Sequence, residues 1–258
     1  MTGRYVALGS SMAAGPGIRP AAPGAPRGLG RSAANYPHLV ADRLGLDLVD
    51  VTFSGATTAH VLAEHQRGAP PQVSALDGSE DLVTVTIGGN DVGYVPFLFA
   101  AGLPRPAARV LSALPVVGGA LRDVLDPAAR TAALAEVRDA LVAVGDAIRA
   151  RAPRARVLFV DYLTLLPPAG TPAPPYSPAE ADLGRHLADT LKRHTAYAAS
   201  ATGCSVVAAA DASSDHHAWS AVPWTTRFGV PLPGRPAPLH PNAAGMRAVA
   251  DLIAAELG

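Results

Sequence analysis

Apolar and polar positions follow two different rhythms along this chain, and the changes from one to the other mark out its elements. Short, nearly continuous apolar runs at 5–8, 46–52, 82–87, 157–160 and 205–209 have the length and Val/Leu content of buried strands. Longer stretches with apolar residues three and four apart, at 36–44, 58–66, 128–152, 178–201 and 243–257, have the period of amphipathic helices. Strand and helix alternate, which predicts the α/β class: a three-layer α/β/α sandwich around a central parallel sheet of about five strands. Ligands of such sheets gather at the carboxyl ends of the strands, so the loops there are the places to look for chemistry.

Two stretches break the rhythm. Residues 93–127 carry the apolar runs Val95-Pro96-Phe97-Leu98-Phe99 and Val110-Leu111-Ser112-Ala113-Leu114-Pro115-Val116-Val117. They read either as a lid or apolar wall for an acyl chain, or as a pair of short helices completing the core. Residues 211–239 hold Trp219, Trp224 and several prolines and have no clear period. With no internal repeat and no linker composition, residues 1–258 are expected to form one domain.

Composition narrows the function classes. Hydrophobic residues make up 49% and charged residues 16%, which excludes a disordered chain. The formal net charge is zero and no basic run stands out, so nucleic acid is not an expected partner. No stretch reaches the roughly 18 apolar residues of a membrane-spanning helix. The residues after Met1 pass straight into the first strand without a signal-peptide pattern, and Cys204 is the sole cysteine. Both observations give the expectation of a cytoplasmic protein. No His/Cys/carboxylate cluster has metal-ligand spacing, and His216 and His217, being adjacent, would diverge, so neither a metal nor another cofactor is expected.

Four loops hold the candidate chemistry. Leu8-Gly9-Ser10-Ser11-Met12-Ala13-Ala14-Gly15 follows the first strand, where a serine at a strand-to-helix turn can hold its hydroxyl clear of the sheet. Phe53-Ser54-Gly55-Ala56-Thr57-Thr58 follows the second, with Gly55 offering an unshielded backbone N–H; its ordinary reading is a helix cap by Ser54 or Thr57. Ile87-Gly88-Gly89-Asn90-Asp91 ends the third, and an Asn side-chain amide there suits a developing oxyanion. Pro238-Leu239-His240-Pro241-Asn242 precedes the last helix, with Pro241 near its first turn and His240 held at its mouth. A dinucleotide fingerprint is absent from the first loop, which lacks the G-x-G-x-x-G spacing.

Singly these loops are ordinary turns. In this order and placement they resemble the consensus blocks of the SGNH/GDSL hydrolases, across nearly the whole chain. The resemblance implies a flavodoxin-like sheet and a serine esterase acting on a small-molecule ester or acyl substrate, of short to medium chain length and including lipids. It makes Ser11 the nucleophile and His240 the general base, with Ser11, Gly55 and Asn90 forming the oxyanion hole. The stretches Arg31-Ser32-Ala33-Ala34-Asn35-Tyr36-Pro37 and His216-His217-Ala218-Trp219-Ser220 point to an actinobacterial esterase and lipase branch. Secreted members have cysteines near Leu29, Phe53 and Trp219, and apolar residues at those points suit a reducing compartment.

Two positions depart from the family pattern. Ser10 replaces the usual Asp of the first block, and Ala237 stands where most members place an Asp three residues before the histidine. The branch resembled here uses a main-chain carbonyl instead, which implies a Ser11–His240 dyad oriented by the Ala237 carbonyl. Asp211 and Asp215 are the alternatives for an acidic third member. The same site would also serve an acyltransferase, and the two departures leave room for a catalytically inactive SGNH-fold binding protein.

Overall fold

The computed structural model describes residues 3–26 and 28–258. Strand β1 (Arg4–Gly9) leads through a single helical turn, α1 (Ser11–Ala14), to helix α2 (Tyr36–Leu44) and strand β2 (Asp47–Asp50). Helix α3 (Thr58–Leu62) precedes strand β3 (Leu82–Thr86). Three helices then follow without a strand: α4 (Tyr94–Ala101), α5 (Arg105–Ala113) and α6 (Pro115–Leu125). The second half runs α7 (Pro127–Arg151), β4 (Arg156–Val160), α8 (Pro178–Ala201), β5 (Ser205–Val207), α9 (Ala209–Ala212) and α10 (Ala243–Leu257).

All four strand pairings are parallel and the order is β2-β1-β3-β4-β5. The five strands and their flanking helices form the expected α/β/α sandwich. Alternation along each strand divides the side chains between two cores. Val6, Leu8, Val83, Val85, Val157 and Phe159 face α3, α4, α7 and α8. Tyr5, Ala7, Leu82, Leu158 and Val160 face α2 and α10. The buried Tyr5 and Tyr36 hydroxyls are satisfied inside the protein by Thr84 at 2.7 Å and Thr86 at 2.9 Å.

This strand order places the site. The chain leaves β1 for β2 on one side and returns to β3 on the other, so a crevice opens beyond the carboxyl ends of β1 and β3. Ser11 follows β1, Gly55 follows β2 and Asn90 follows β3, and the three loops therefore meet at that switch point.

The stretch 93–127 divides between its two expected readings. Helix α4 belongs to the core through Tyr94, Phe97 and Leu98. Helix α5, by contrast, buries no residue, and α6 buries only Gly118.

Candidate active site

The loop carrying Ser11 begins at a place where only glycine fits. Gly9 has φ +142°, and a Cβ there would lie 2.6 Å from the Thr86 carbonyl oxygen of β3. The buried Gln72 side chain serves both main-chain groups of Gly9: its Oε1 accepts from the Gly9 N–H at 2.7 Å and its Nε2 donates to the Gly9 carbonyl at 3.1 Å. Ser10 N–H donates to the Thr86 carbonyl at 2.9 Å, and the chain then turns into α1 with Ser11 at its first position. A first helical residue has no intrahelical acceptor for its N–H. Among the described residues the N–H groups of Ser11 and Gly55 donate to no protein acceptor. Both residues line the same cavity.

Ser10 turns away from that cavity. Its Oγ lies 3.2 Å from the Tyr162 hydroxyl, which accepts from the Gly89 N–H at 2.9 Å. Burial pushes the Tyr162 phenol up to about 12, so it stays a neutral hydrogen-bonding group. The serine in place of an aspartate is thus wired to the loop that carries Asn90.

Gly55 has φ +81°, the left-handed region that its turn requires. Ala56 N–H closes the turn onto the Phe53 carbonyl, and Gln66 Nε2 ties the Ser54 carbonyl at 2.9 Å. Thr57, of the two expected caps, stands at the N-cap of α3. Asn90 donates through Nδ2 to the Ala56 carbonyl at 2.7 Å, which fixes the amide plane and leaves its second N–H available. Asp91 fastens the two loops together by accepting from the Thr58 N–H at 3.0 Å and from its hydroxyl.

His240 Nε2 lies 2.8 Å from Ser11 Oγ. The opposite ring nitrogen, Nδ1, is 2.7 Å from the Pro238 carbonyl oxygen, and this corrects the expectation of Ala237. The Ala237 carbonyl is instead taken by the Thr226 hydroxyl at 2.7 Å. The physical reason is Leu239, which has φ +61° and curls the chain so that the carbonyl two residues before the histidine faces its ring. A β-carbon in that region costs on the order of 1 kcal/mol, and the fully buried Leu239 side chain, packed in the main core, holds the curl in place. A carbonyl can only accept, so Nδ1 carries the proton and Nε2 is left to accept from Ser11. Thr226 adds a further brace, donating from N–H to the His240 carbonyl at 2.9 Å. Burial lowers the pKa of His240, and the Pro238 hydrogen bond opposes that shift in part.

Neither acidic alternative reaches the histidine. Asp211 is exposed on α9 and pairs with Lys192, and Asp215 is exposed on the 3-10 turn Ser214–His216. His216 stacks on Trp224 with ring centroids 4.0 Å apart, while His217 Nδ1 accepts from the Trp219 N–H.

Above Ser11, Gly55, Asn90 and His240 the cavity opens to about 1200 Å³. Val95, Phe99, Leu111, Val117, Leu121 and Leu232 line it, drawn from α4, α5, α6 and the loop before His240. Trp219, Trp224 and Phe228, from the aperiodic stretch 211–239, are not among its lining residues. Phe228 backs Phe99 from behind at 5.3 Å, and Trp219 meets Tyr176 edge-on. Gln72, Asp91, Tyr162 and Thr226 were not singled out in the sequence; of these, only Asp91 had a local signal, as the neighbour of Asn90.

Comparison with known proteins identifies the family. Residues 7–248 match the model of the GDSL-like lipase/acylhydrolase family. The chain is 36% identical to Lipase 2 of Streptomyces coelicolor over 264 residues, covering 96% of this chain and 83% of that protein. It is 28% identical to a lipase of Streptomyces rimosus, over 93% and 81% of the two. Among solved structures, phospholipase A1 from Streptomyces albidoflavus NA297 superposes with a TM-score of 0.79 at 26% identity, over 99% of both chains. An extracellular lipase from Streptomyces rimosus gives 0.76 at 26% identity, over 98% and 99%. Fold and relatives therefore converge: the chain belongs to the GDSL-like lipase/acylhydrolase family and is a carboxylic ester hydrolase.

Proposed function

We propose that the chain hydrolyses lipid-type carboxylic esters through an acyl-enzyme on Ser11. The observation that carries this reading is the 2.8 Å approach of Ser11 Oγ to a His240 ring whose tautomer is set from behind by the Pro238 carbonyl. His240 Nε2 takes the Ser11 proton as Oγ bonds to the ester carbonyl carbon. The carbonyl π electrons move to oxygen, and the Ser11 and Gly55 N–H groups and the Asn90 amide receive the oxyanion. As the tetrahedral intermediate collapses, the C–O bond to the alcohol breaks and the alcohol leaves with the proton from His240. Water then repeats the sequence on the acyl-enzyme, returning the carboxylic acid and free Ser11.

No carboxylate is required in this scheme, because the Pro238 oxygen performs the tautomer selection for which a triad uses an acid. The size of the cavity, above the roughly 300–1,000 Å³ common for small-molecule sites, favours medium or longer acyl chains. The names of the relatives, two of them lipases and one a phospholipase A1, point the same way. A cytoplasmic site of action belongs to the same proposal: Leu29 and Phe53, where secreted members carry cysteines, pack into one small apolar cluster with Ala69.

The test is hydrolysis of p-nitrophenyl acetate, butyrate and octanoate. Ser11→Ala should reduce turnover to near background, and Asn90→Ala should lower kcat by about 10²–10³. Octanoate should be the preferred of the three. A Ser11→Ala chain that keeps its activity would exclude this nucleophile.

A further inference from the structure

The exposed apolar surface is concentrated at the entrance to the cavity. Among the described residues nine large hydrophobic side chains are exposed, and six of them stand on α5, α6, their joint and the loop before His240. They are Val110, Leu114, Val116, Val117, Val230 and Leu232, with Val116 85% and Val230 79% exposed. Isolated exposed apolar residues are ordinary on a protein surface, but a contiguous set around a site entrance is not. Leu111, Val117 and Leu232 from the same segments line the cavity wall, so the outer patch and the acyl pocket are continuous.

The helices carrying the patch have a second, charged face. On α5, Arg105, Arg109 and Ser112 follow one another at four and three residues and form a polar stripe, while Val110 and Leu114 lie beside it. Arg122 extends the charge onto α6, and Arg235 stands in the loop opposite. Residues 92–122 contain three arginines and no Asp or Glu, and residues 216–240 contain two arginines and none either. The whole chain is formally neutral. The one carboxylate on these helices, Asp123 near the end of α6, is paired with Arg130 at 3.1 Å, so the arginines of the rim face no carboxylate within 92–122 or 216–240.

We propose that this rim docks the enzyme onto an anionic lipid surface, with the valines and leucines entering the headgroup boundary and the arginines contacting lipid phosphates. Apolar side chains flanked by basic ones are the pattern of an interfacial helix, whose binding adds apolar burial to attraction by negative lipid. Neutral esters in water would gain nothing from the arginines. The inference rests on the lipid-ester reading above and assigns to it a surface, with the entrance facing the bilayer so that an acyl chain passes from lipid to cavity without crossing water.

The experiment separates docking from catalysis. Binding of the Ser11→Ala chain to phosphatidylglycerol and phosphatidylcholine vesicles is measured by cosedimentation, so that no lipid is consumed. Soluble-ester turnover is followed separately in chains with Ser11 intact. Strong binding to phosphatidylglycerol only is expected, weakened about a hundredfold by the combined Arg105→Glu, Arg109→Glu and Arg122→Glu changes and by salt at about 0.5 M. Val110→Ser with Val116→Ser should also weaken it, while p-nitrophenyl acetate turnover stays unchanged in every rim variant. Equal binding to both lipids, no binding to either, or a rim that pairs two copies of the chain in solution without any response to vesicles would each overturn the proposal. Loss of acetate turnover in a rim variant that keeps Ser11 would mean that the rim supports the active site and would overturn the proposal, whereas an unaltered chain that turns over no ester would overturn the lipid-ester reading instead.

Discussion

At the scale of single residues the site is governed by how His240 is held. In the proposed mechanism its ring must be neutral to accept the Ser11 proton, and burial disfavours the charged form, so its pKa lies below the ordinary 6.5. The acid limb of kcat/KM, which reports the free enzyme, should therefore have its midpoint below pH 6.5. A midpoint above that value would contradict the buried, carbonyl-held setting of the ring. The same shift has a stability consequence of definite sign. Between the two pKa values the unfolded chain binds more protons at this position than the folded one, so this histidine's contribution to stability rises with pH across that window.

At the scale of elements the controlling contact is between β1 and β3, the strands that flank the switch point. Gly9→Ala would set a methyl group 2.6 Å from the Thr86 carbonyl and force a side chain into φ +142°. A loss of about 3 kcal/mol or more is expected in urea unfolding, with activity falling as well because Ser11 is two residues away. The elements themselves were largely legible in the sequence. Helices α2, α8 and α10 fall at their expected bounds because each has a local start signal: Asn35 accepts from His38 N–H, Ser177 and Glu180 form a capping box, and Asn242 accepts from Ala244 and Gly245 N–H. The expected helix over 58–66 stops at Leu62, since Gln66 leaves the helical path to serve Ser54 and to pair with Ala69. The expected strand over 46–52 is trimmed to Asp47–Asp50 at the sheet edge, where only β1 supplies partners. Ser11, Gly55, Asn90 and His240 were legible because each sits in a short loop next to a recognisable element. Gln72 and Thr226 were not, because their partners are main-chain atoms 63 and 14 residues away. A hydrogen bond to a backbone atom places no demand on the identity of the residue that supplies it.

At the scale of the whole molecule, the cavity is assembled from segments remote in sequence. The loops after β1, β2 and β3 bring Ser11, Gly55 and Asn90 to its floor, while α4 to α6 and the loop before His240 provide the walls. Chemistry and chain-length selection should therefore separate under mutation. Leu111→Trp, on a helix that buries no residue, is expected to lower the octanoate-to-acetate rate ratio about tenfold. Acetate turnover and the unfolding midpoint should barely change, and a parallel fall in both esters would place Leu111 in the support of the dyad instead.

The orientation of His240 by a carbonyl has one more consequence. A side-chain carboxylate can be deleted by a single codon change, but every residue at position 238 brings the same main-chain oxygen. The orienting group is stored in the path of the loop, and no substitution removes it directly. What the coding sequence must protect is the bend itself, which shifts the vulnerability of the proposed dyad to a buried leucine and a bracing threonine that do not line the cavity.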